Sequence, residues 1–306
     1  DVAKTLLRVG LKTRSHGPVL EVQDPRMTLD DLPITTSWSG DGGPFITLPL
    51  TYTEHPRDHR HNLGIYRLQK HDPGHLGLHF QIHKGSGYHL MGAERIGEEF
   101  PVTCLLGGSP ALIASAVAPL PENVGELLLA SLLQGGPLKM ARSGAMAHPV
   151  VAECEFAIQG IALPGERWPE GPFGDHYGYY SLQHDYPVMK ISSISHRHDA
   201  IFPATVVGKP RQEDFYLGDF LQQLLSPLFP LVMPTVKQLW SYGETGYHSL
   251  AAAVIRDRYS REAMVSAFRI LGEGQLSLTK FLLLTDGDVD LRDFRATLEY
   301  VLAPAN

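Results

Sequence analysis

The sequence predicts a two-domain α+β protein, a closed or partly closed β-barrel followed by a smaller α/β domain, and three observations carry this. From Pro44 onward, short runs rich in β-branched and aromatic residues recur between turn residues. A helical insertion interrupts those runs at about residues 109–135. After Gly208-Lys209-Pro210 the pattern changes to helices alternating with strands. Residues 1–43 are then a lead-in, 44–208 the barrel domain and 209–306 the α/β domain.

Taken in order, the lead-in offers a strand at 18–22 and a polar Gly/Ser stretch at 37–43. Strands are expected at 45–53, 63–68, 76–83 and 101–106. Residues 152–158 alternate, with Cys154, Phe156 and Ile158 opposing Glu153, Glu155 and Ala157. In the insertion, Ser109-Pro110 reads as an N-cap followed by Pro at the first helical position, opening a helix that Pro119 and Pro121 stop. A second helix spans 124–133 before Gly135-Gly136, and a strand at 188–196 completes the barrel half. In the second domain, helices are expected at 213–227, 261–271 and 291–302 and strands at 248–256 and 278–285, with an extended apolar segment at 229–235.

Composition narrows the function. The hydrophobic share is 43% and the net charge −7, with the 26 Lys and Arg residues spread along the chain. No basic block argues for nucleic acid or an anionic membrane surface. Cys104 and Cys154 sit in apolar runs and read as buried thiols, which fits a reducing, cytoplasmic setting. No run is long and apolar enough for stable membrane insertion, and the first twelve residues lack the apolar core of a signal peptide. The missing initiator Met predicts a trimmed or partial chain.

The chemistry centres on Glu170-Gly171-Pro172-Phe173-Gly174-Asp175-His176-Tyr177-Gly178-Tyr179-Tyr180. Glycines and proline forbid a regular helix and suit a fixed turn, so both acids can point into one pocket. Nearby rings can desolvate one carboxyl group and raise its pKa, as proton transfer to an apolar substrate requires. The plainer alternative is an aromatic surface turn with solvated acids. Eight of the 15 histidines fall between His55 and His89, but no His-Glu-x-x-His or nearby Cys completes a zinc site, and most read as loop residues. Asn62, His83 and Glu126 form a mixed oxygen and nitrogen set suited to manganese or magnesium; the alternative is a strand-end cap, a core-edge histidine and a solvated acid. Gly107-Gly108-Ser109-Pro110 opens a helix whose N–H groups suit a phosphate, although no Walker or Rossmann glycine motif is present.

Asn62-Leu63-Gly64-Ile65-Tyr66-Arg67, Gln81-Ile82-His83, Gly107-Gly108-Ser109-Pro110-Ala111, Pro121-Glu122-Asn123-Val124-Gly125-Glu126 and Glu170-Gly171-Pro172-Phe173-Gly174-Asp175 resemble, in order, the motifs of the UbiD family of prenylated-FMN-dependent reversible carboxy-lyases. Phe45-Ile46-Thr47-Leu48-Pro49-Leu50, Asp175-His176-Tyr177-Gly178-Tyr179-Tyr180, Ala204-Thr205-Val206-Val207-Gly208-Lys209-Pro210 and Gly272-Glu273-Gly274-Gln275-Leu276-Ser277-Leu278-Thr279-Lys280 resemble the branch linked to menaquinone biosynthesis.

The resemblance implies that the barrel is a split, flavin-reductase-like domain binding prenylated FMN. Asn62, His83 and Glu126 match the positions that hold Mn2+ against the cofactor phosphate. Carbonyls around Leu63, Ala114 and Val117, with Ser115, match a cradle for K+ and that phosphate. Ile65 and Arg67 match residues lying against the flavin. Arg67, Glu170 and Asp175 match the catalytic set: Arg67 holds the substrate carboxylate, Glu170 orients the guanidinium, and Asp175 protonates the carbon left by carbon dioxide. At the family's Glu/Asp position, Asp175 is one methylene shorter than Glu, so its reach requires a slightly different loop or substrate pose.

The implied activity is non-oxidative decarboxylation of an aromatic acid, specifically a dihydroxynaphthoate intermediate of menaquinone synthesis. A flavin prenyltransferase would supply the cofactor, and the second domain would mediate a homodimer or higher homo-oligomer. The family carries an N-terminal domain and further C-terminal chain that are not evident here, so a partial chain is expected. Two alternatives are an FMN oxidoreductase on the same barrel and a noncatalytic protein that binds the cofactor or serves assembly. Hydride transfer has no need of paired carboxylates beside an arginine, which weighs against the first.

Overall fold

The computed structural model describes residues 8–81, 85–118, 120, 124–144, 146–256 and 258–303, and the chain divides into two compact units, one up to Val207 and one from Gly208. Strands of the first unit are β1 (Leu11–Arg14), β2 (Phe45–Ile46), β3 (Pro49–Glu54), β4 (His61–Ile65), β5 (Leu68–Asp72), β6 (His75–Leu78), β7 (Phe100–Leu106), β8 (Leu138–Ala141), β9 (Val150–Val151), β10 (Phe156–Glu170) and β11 (His184–His196). Eight of them build one antiparallel sheet in the order β2-β5-β6-β11-β10-β7-β3-β4, while β1, β8 and β9 form a small second sheet. Among the described residues no strand pairing joins β2 to β4.

The period of two along a strand explains why the large sheet is buried on both faces. Leu106 and Ile158 pack into one core with Ile46, Leu68, Leu78, Phe100 and Met189. Their chain neighbours Leu105 and Ala157 face the other way, into a core with Leu50, Leu63, Leu112 and Leu127. That second core is roofed by two of the three helices among the unit's described residues, α1 (Gly85–Ile96), α2 (Pro110–Val117) and α3 (Glu126–Leu133), through Leu112 of α2 and Leu127 of α3. Ser109 caps α2 by accepting from Leu112 N, as its Ser-Pro start predicts.

Several expected elements differ. The single strand at 63–68 is two strands, broken at Tyr66 and Arg67. Ile65 pairs with Leu50 on β3 whereas Leu68 pairs with Ile46 on β2 and Leu78 on β6, so one ladder cannot continue through both. The strand at 76–83 ends at Leu78, where Phe80 N turns back to Leu78 O; Ile82 and His83 lie outside the described residues. Residues 152–155 turn rather than extend, because Cys154 N donates to Val151 O and pairing begins only at Phe156. Pro18–Leu20 is a 3-10 turn with Pro at its first position, not a strand. Helix α1 is not expected from the sequence, because Gly85 and Gly87 weaken its helical signal.

The second unit holds α4 (Glu213–Leu225), α5 (Phe229–Val232), α6 (Glu262–Leu271) and α7 (Phe294–Leu302) around a sheet of β12 (Val236–Ser241), β13 (Leu250–Ile255) and β14 (Phe281–Thr285). Parallel pairing of β13 with β14 is reached through α6, as a parallel crossover requires. The segment expected to be extended at 229–235 begins instead as the short helix α5, and β12 follows it unforeseen. Among the described residues no helix is long and apolar enough to cross a membrane, and both cysteines are free and buried.

Candidate functional site

Glu170 is the last residue of β10, so a strand delivers its carboxylate into the interior, where it is fully buried. The loop that follows is tied on three sides. Gly171 N donates to Gln69 Oε1 at 2.8 Å, and Gln69 Nε2 donates to Gly42 O at 2.9 Å. Gly174 N donates to Asp41 Oδ1 at 2.8 Å. Phe173 N donates to Ser181 Oγ at 3.1 Å, and Ser181 N returns to Phe173 O at 2.8 Å. Gly171 has φ +95°, a conformation costly for other residues. A Cβ on Gly174 would strike the Trp38 ring, so glycine there permits the close approach.

Arg67 sits in the break between β4 and β5, and this freedom from both ladders lets its guanidinium reach the loop. Its Nε donates to Glu170 Oε1 at 2.8 Å and Nη2 to Glu170 Oε2 at 3.2 Å, a bidentate pair. Nη1 donates to Asp175 Oδ2 at 3.2 Å, and Nη2 also to Ser181 Oγ at 3.3 Å. The guanidinium carbon lies 4.5 Å from the centre of the Phe173 ring, within cation–π range. Four of the five N–H donors of Arg67 are thus engaged, and the remaining Nη1–H has no acceptor among the described residues.

Each carboxylate also meets a histidine. His79 Nδ1 lies 3.2 Å from Glu170 Oε2, with its ring packed on Tyr186 at 4.4 Å. His176 Nδ1 lies 2.6 Å from Asp175 Oδ1, which also accepts from His176 N at 2.7 Å. Burial raises the pKa of Glu170, but hydrogen bonds from His79 and Arg67 outweigh it and hold the group below the usual carboxylate range. Burial likewise works against ionised Asp175, and His176, its backbone N–H and Arg67 together hold it low. The expectation that rings raise a carboxyl pKa in this stretch is therefore corrected: N–H donors reach both acids, while Tyr177, Tyr179 and Tyr180 are exposed.

Asn62 and Glu126 are each fixed by hydrogen bonds near the start of β4. Glu126 Oε2 accepts from Leu63 N at 3.2 Å, and Asn62 Nδ2 donates to Ser86 Oγ at 3.0 Å and to Tyr66 Oη at 3.2 Å. Burial raises the pKa of Glu126 against the backbone N–H groups of Glu126 and Leu63, its hydrogen-bond partners. Among the described residues no cationic side chain pairs with this partly buried carboxyl, and carboxylate and amide oxygens are a donor type that fits a hard cation. Among the described residues no group of three His, Cys, Asp or Glu side chains is placed to hold a metal ion, and His83 lies outside them. Ile65 ends β4, packed against the second core. Ser115 is fully buried, with its hydroxyl donating to Ala111 O at 2.7 Å. Gly107 and Gly108 both have positive φ before the α2 N-terminus.

Sequence reasoning from the residues alone missed His79, Ser181 and Gln69. The first lies 91 residues from Glu170, the second follows the loop without a motif of its own, and the third occupies a plain strand. The spacing of Ser181 after Asp175 in a glycine-rich turn was the available signal.

A family model for the 3-octaprenyl-4-hydroxybenzoate carboxy-lyase Rift-related domain matches residues 11–210. The chain belongs to the UbiD family. The model for the C-terminal domain of the same carboxy-lyase matches residues 215–306. A Chlamydia pneumoniae protein, named as one component of a 4-hydroxybenzoate decarboxylase, is 54% identical over 302 residues, covering 99% of this chain and 52% of that protein. The chain spans about half the length of the curated relatives it matches. Among solved structures, the closed form of vanillic acid decarboxylase from Sedimentibacter hydroxybenzoicus is similar with a TM-score of 0.88 and 26% identity, over 97% of this chain and 63% of that one. An evolved dimeric form of the UbiD-class enzyme HmfF from Pelotomaculum thermopropionicum, in complex with prenylated FMN, gives a TM-score of 0.83 and 26% identity, over 99% and 71%. The mixed α/β fold of this UbiD-family chain is that of these enzymes.

Proposed function

We propose that this chain carries the reaction centre of a reversible, non-oxidative decarboxylase that acts on an aromatic acid with prenylated FMN. The observation that supports it most is the Arg67 guanidinium held between Glu170 and Asp175 with one Nη1–H left to meet a ligand. Glu170 fixes the plane of the guanidinium, and Arg67 then offers the substrate carboxylate a positioned cation. Asp175 stands beside that cation as the group that returns a proton to carbon. The shorter Asp side chain still reaches Arg67, at 3.2 Å.

Prenylated FMN, when bound, supplies the electron sink for C–C cleavage. Asn62, His83 and Glu126 would hold Mn2+ at its phosphate, and the chemistry of Asn62 and Glu126 fits such an ion. Carbonyls of Leu63, Ala114 and Val117 would take K+, and Ser115 Oγ would join them through its lone pairs while its hydrogen stays on Ala111 O. The barrel is read as split. Only Tyr66 and Arg67 separate β4, at one edge of the sheet order, from β5, next to the other edge, so these strands come within about 11 Å there, three Cα steps, which supports a sheet that curls toward itself.

A hydroxybenzoate is the substrate class suggested by the names of the Chlamydia pneumoniae relative and the vanillic acid decarboxylase. The dihydroxynaphthoate of the menaquinone branch is the finer reading, carried by the branch motifs. The second unit would mediate a cytoplasmic homo-oligomer, and a flavin prenyltransferase would supply the cofactor. An FMN oxidoreductase is disfavoured because Arg67 is committed to two carboxylates. The test is full-length protein co-expressed with a flavin prenyltransferase and supplied with Mn2+ and K+, its cofactor identified by absorbance and intact mass, then offered 4-hydroxybenzoate, vanillate and dihydroxynaphthoates. Bound prenylated FMN with release of carbon dioxide from one of these acids is the expected result. Unmodified FMN with no carbon dioxide from any acid overturns the proposal.

A further inference from the structure

Decarboxylation consumes a proton, and the acid placed beside Arg67 is poorly equipped to own one. Asp175 accepts three hydrogen bonds, from Arg67 Nη1, from His176 N and across the 2.6 Å contact to His176 Nδ1. A carboxylate solvated in this way stays ionised at neutral pH, whereas an efficient general acid has a pKa near the working pH. One cation, Arg67, faces two carboxylates, so the site is one positive charge short. At 2.6 Å a proton must lie between Nδ1 and Oδ1, since two lone pairs would repel.

Two imidazoles border the acid pair, and they differ. His79 contacts the fully buried Glu170 at 3.2 Å beneath Tyr186, with 16% of its side chain exposed. His176 makes the shorter contact and keeps 25% of its side chain exposed, against 28% for Asp175, so of the two imidazoles it is the one that joins a short contact with its acid to the more solvated side of the site.

We infer that His176 is the proton-carrying positioning residue of the site: the proton used in decarboxylation enters at its imidazole and crosses the Nδ1–Oδ1 contact to Asp175. The inference rests on the decarboxylase reading above. When carbon dioxide leaves, the electron pair of the broken C–C bond is taken up by the electron sink named above and returns to the substrate carbon. That carbon takes the proton from the Asp175 carboxyl, forming C–H. Asp175 had received it from His176, which is reprotonated by water. Among the described residues, the titratable and charged groups that face His176 include Asp175, Tyr177 with ring centres 4.2 Å apart, and, through Asp175, Arg67 and Glu170.

The test has two readouts on the full-length protein. Histidine C2 hydrogen–deuterium exchange with mass spectrometry gives the His176 pKa without turnover. It should lie above the free-histidine value of about 6.5 and fall by about one unit or more in Asp175→Asn. In the enzyme loaded with prenylated FMN, His176→Gln should lower kcat at least about tenfold with little change in KM, raise the solvent deuterium isotope effect, and be partly rescued by added imidazole. A His176 pKa at or below the free value and unmoved by Asp175→Asn overturns the inference, as does a His176→Gln enzyme with unchanged kcat and isotope effect. If wild type releases no carbon dioxide, the decarboxylase reading fails, while the exchange profile still decides where the proton rests.

Discussion

Replacing Arg67 with Met removes the cation from a fully buried carboxylate while keeping most of the apolar volume. Glu170 loses both hydrogen bonds of its bidentate pair, and Asp175 loses one. Breaking a buried ion pair by deleting one partner destabilises by about 3–5 kcal/mol. His79 still faces Glu170 at 3.2 Å, so the lower end, about 3 kcal/mol, applies near neutral pH. Both carboxyl groups have folded pKa values below 4.5 and 3.8, so their stabilisation is present above those unfolded values and is lost as pH falls through the folded ones. In Arg67→Met the lowering supplied by Arg67 is lost while that of His79 remains, so Glu170 takes up a proton at a higher pH than in wild type and relieves part of its own penalty. The difference between wild type and variant should therefore shrink from about pH 7 to about pH 4. Urea unfolding followed through Trp38 and Trp168 measures it, and Arg67→Met added to Glu170→Gln should cost only about 1 kcal/mol. A deficit under about 1 kcal/mol at neutral pH, or one independent of pH, would refute the account of this cluster.

Gly174→Ala should destabilise by about 1–3 kcal/mol and alter the near-ultraviolet circular dichroism of Trp38, because the new Cβ meets that ring; an unchanged spectrum with full activity would count against the tight loop. Burial raises the Glu126 pKa, so its ionised form opposes folding above the unfolded value, and Glu126→Gln should leave metal-free stability near pH 7 equal or higher. Mn2+ at about 100 times its Kd should stabilise wild type by about 2.7 kcal/mol and this variant hardly at all, read as a shift in Tm; equal shifts would remove Glu126 from the metal site.

The parts of the fold and site carried by local pattern were legible. Ser109-Pro110 marked α2, the runs at 101–106 and 248–256 marked β7 and β13, and the Gly-Pro-Phe-Gly turn marked two acids flanking one loop. What joins those acids to Arg67 was visible only through family resemblance, since 103 and 108 residues separate the partners and contacts so distant leave no periodic trace. The break after Ile65 was hidden for a related reason. Residues 63–68 look like one strand locally, and only the partners β3, β2 and β6 force two. The pKa directions were misread because ring content is visible in a sequence, whereas the N–H donors of His79, His176 and Arg67 are brought in by the fold.

The central claim is that Asp175 delivers a proton to carbon at a site organised by Arg67. Its most direct test compares release of labelled carbon dioxide from a carboxyl-labelled aromatic acid by wild type and Asp175→Asn, each loaded with prenylated FMN to equal occupancy by mass. The account predicts turnover in wild type and a loss of at least about a hundredfold in the variant, with the cofactor spectrum unchanged. Equal turnover by the two proteins would contradict it.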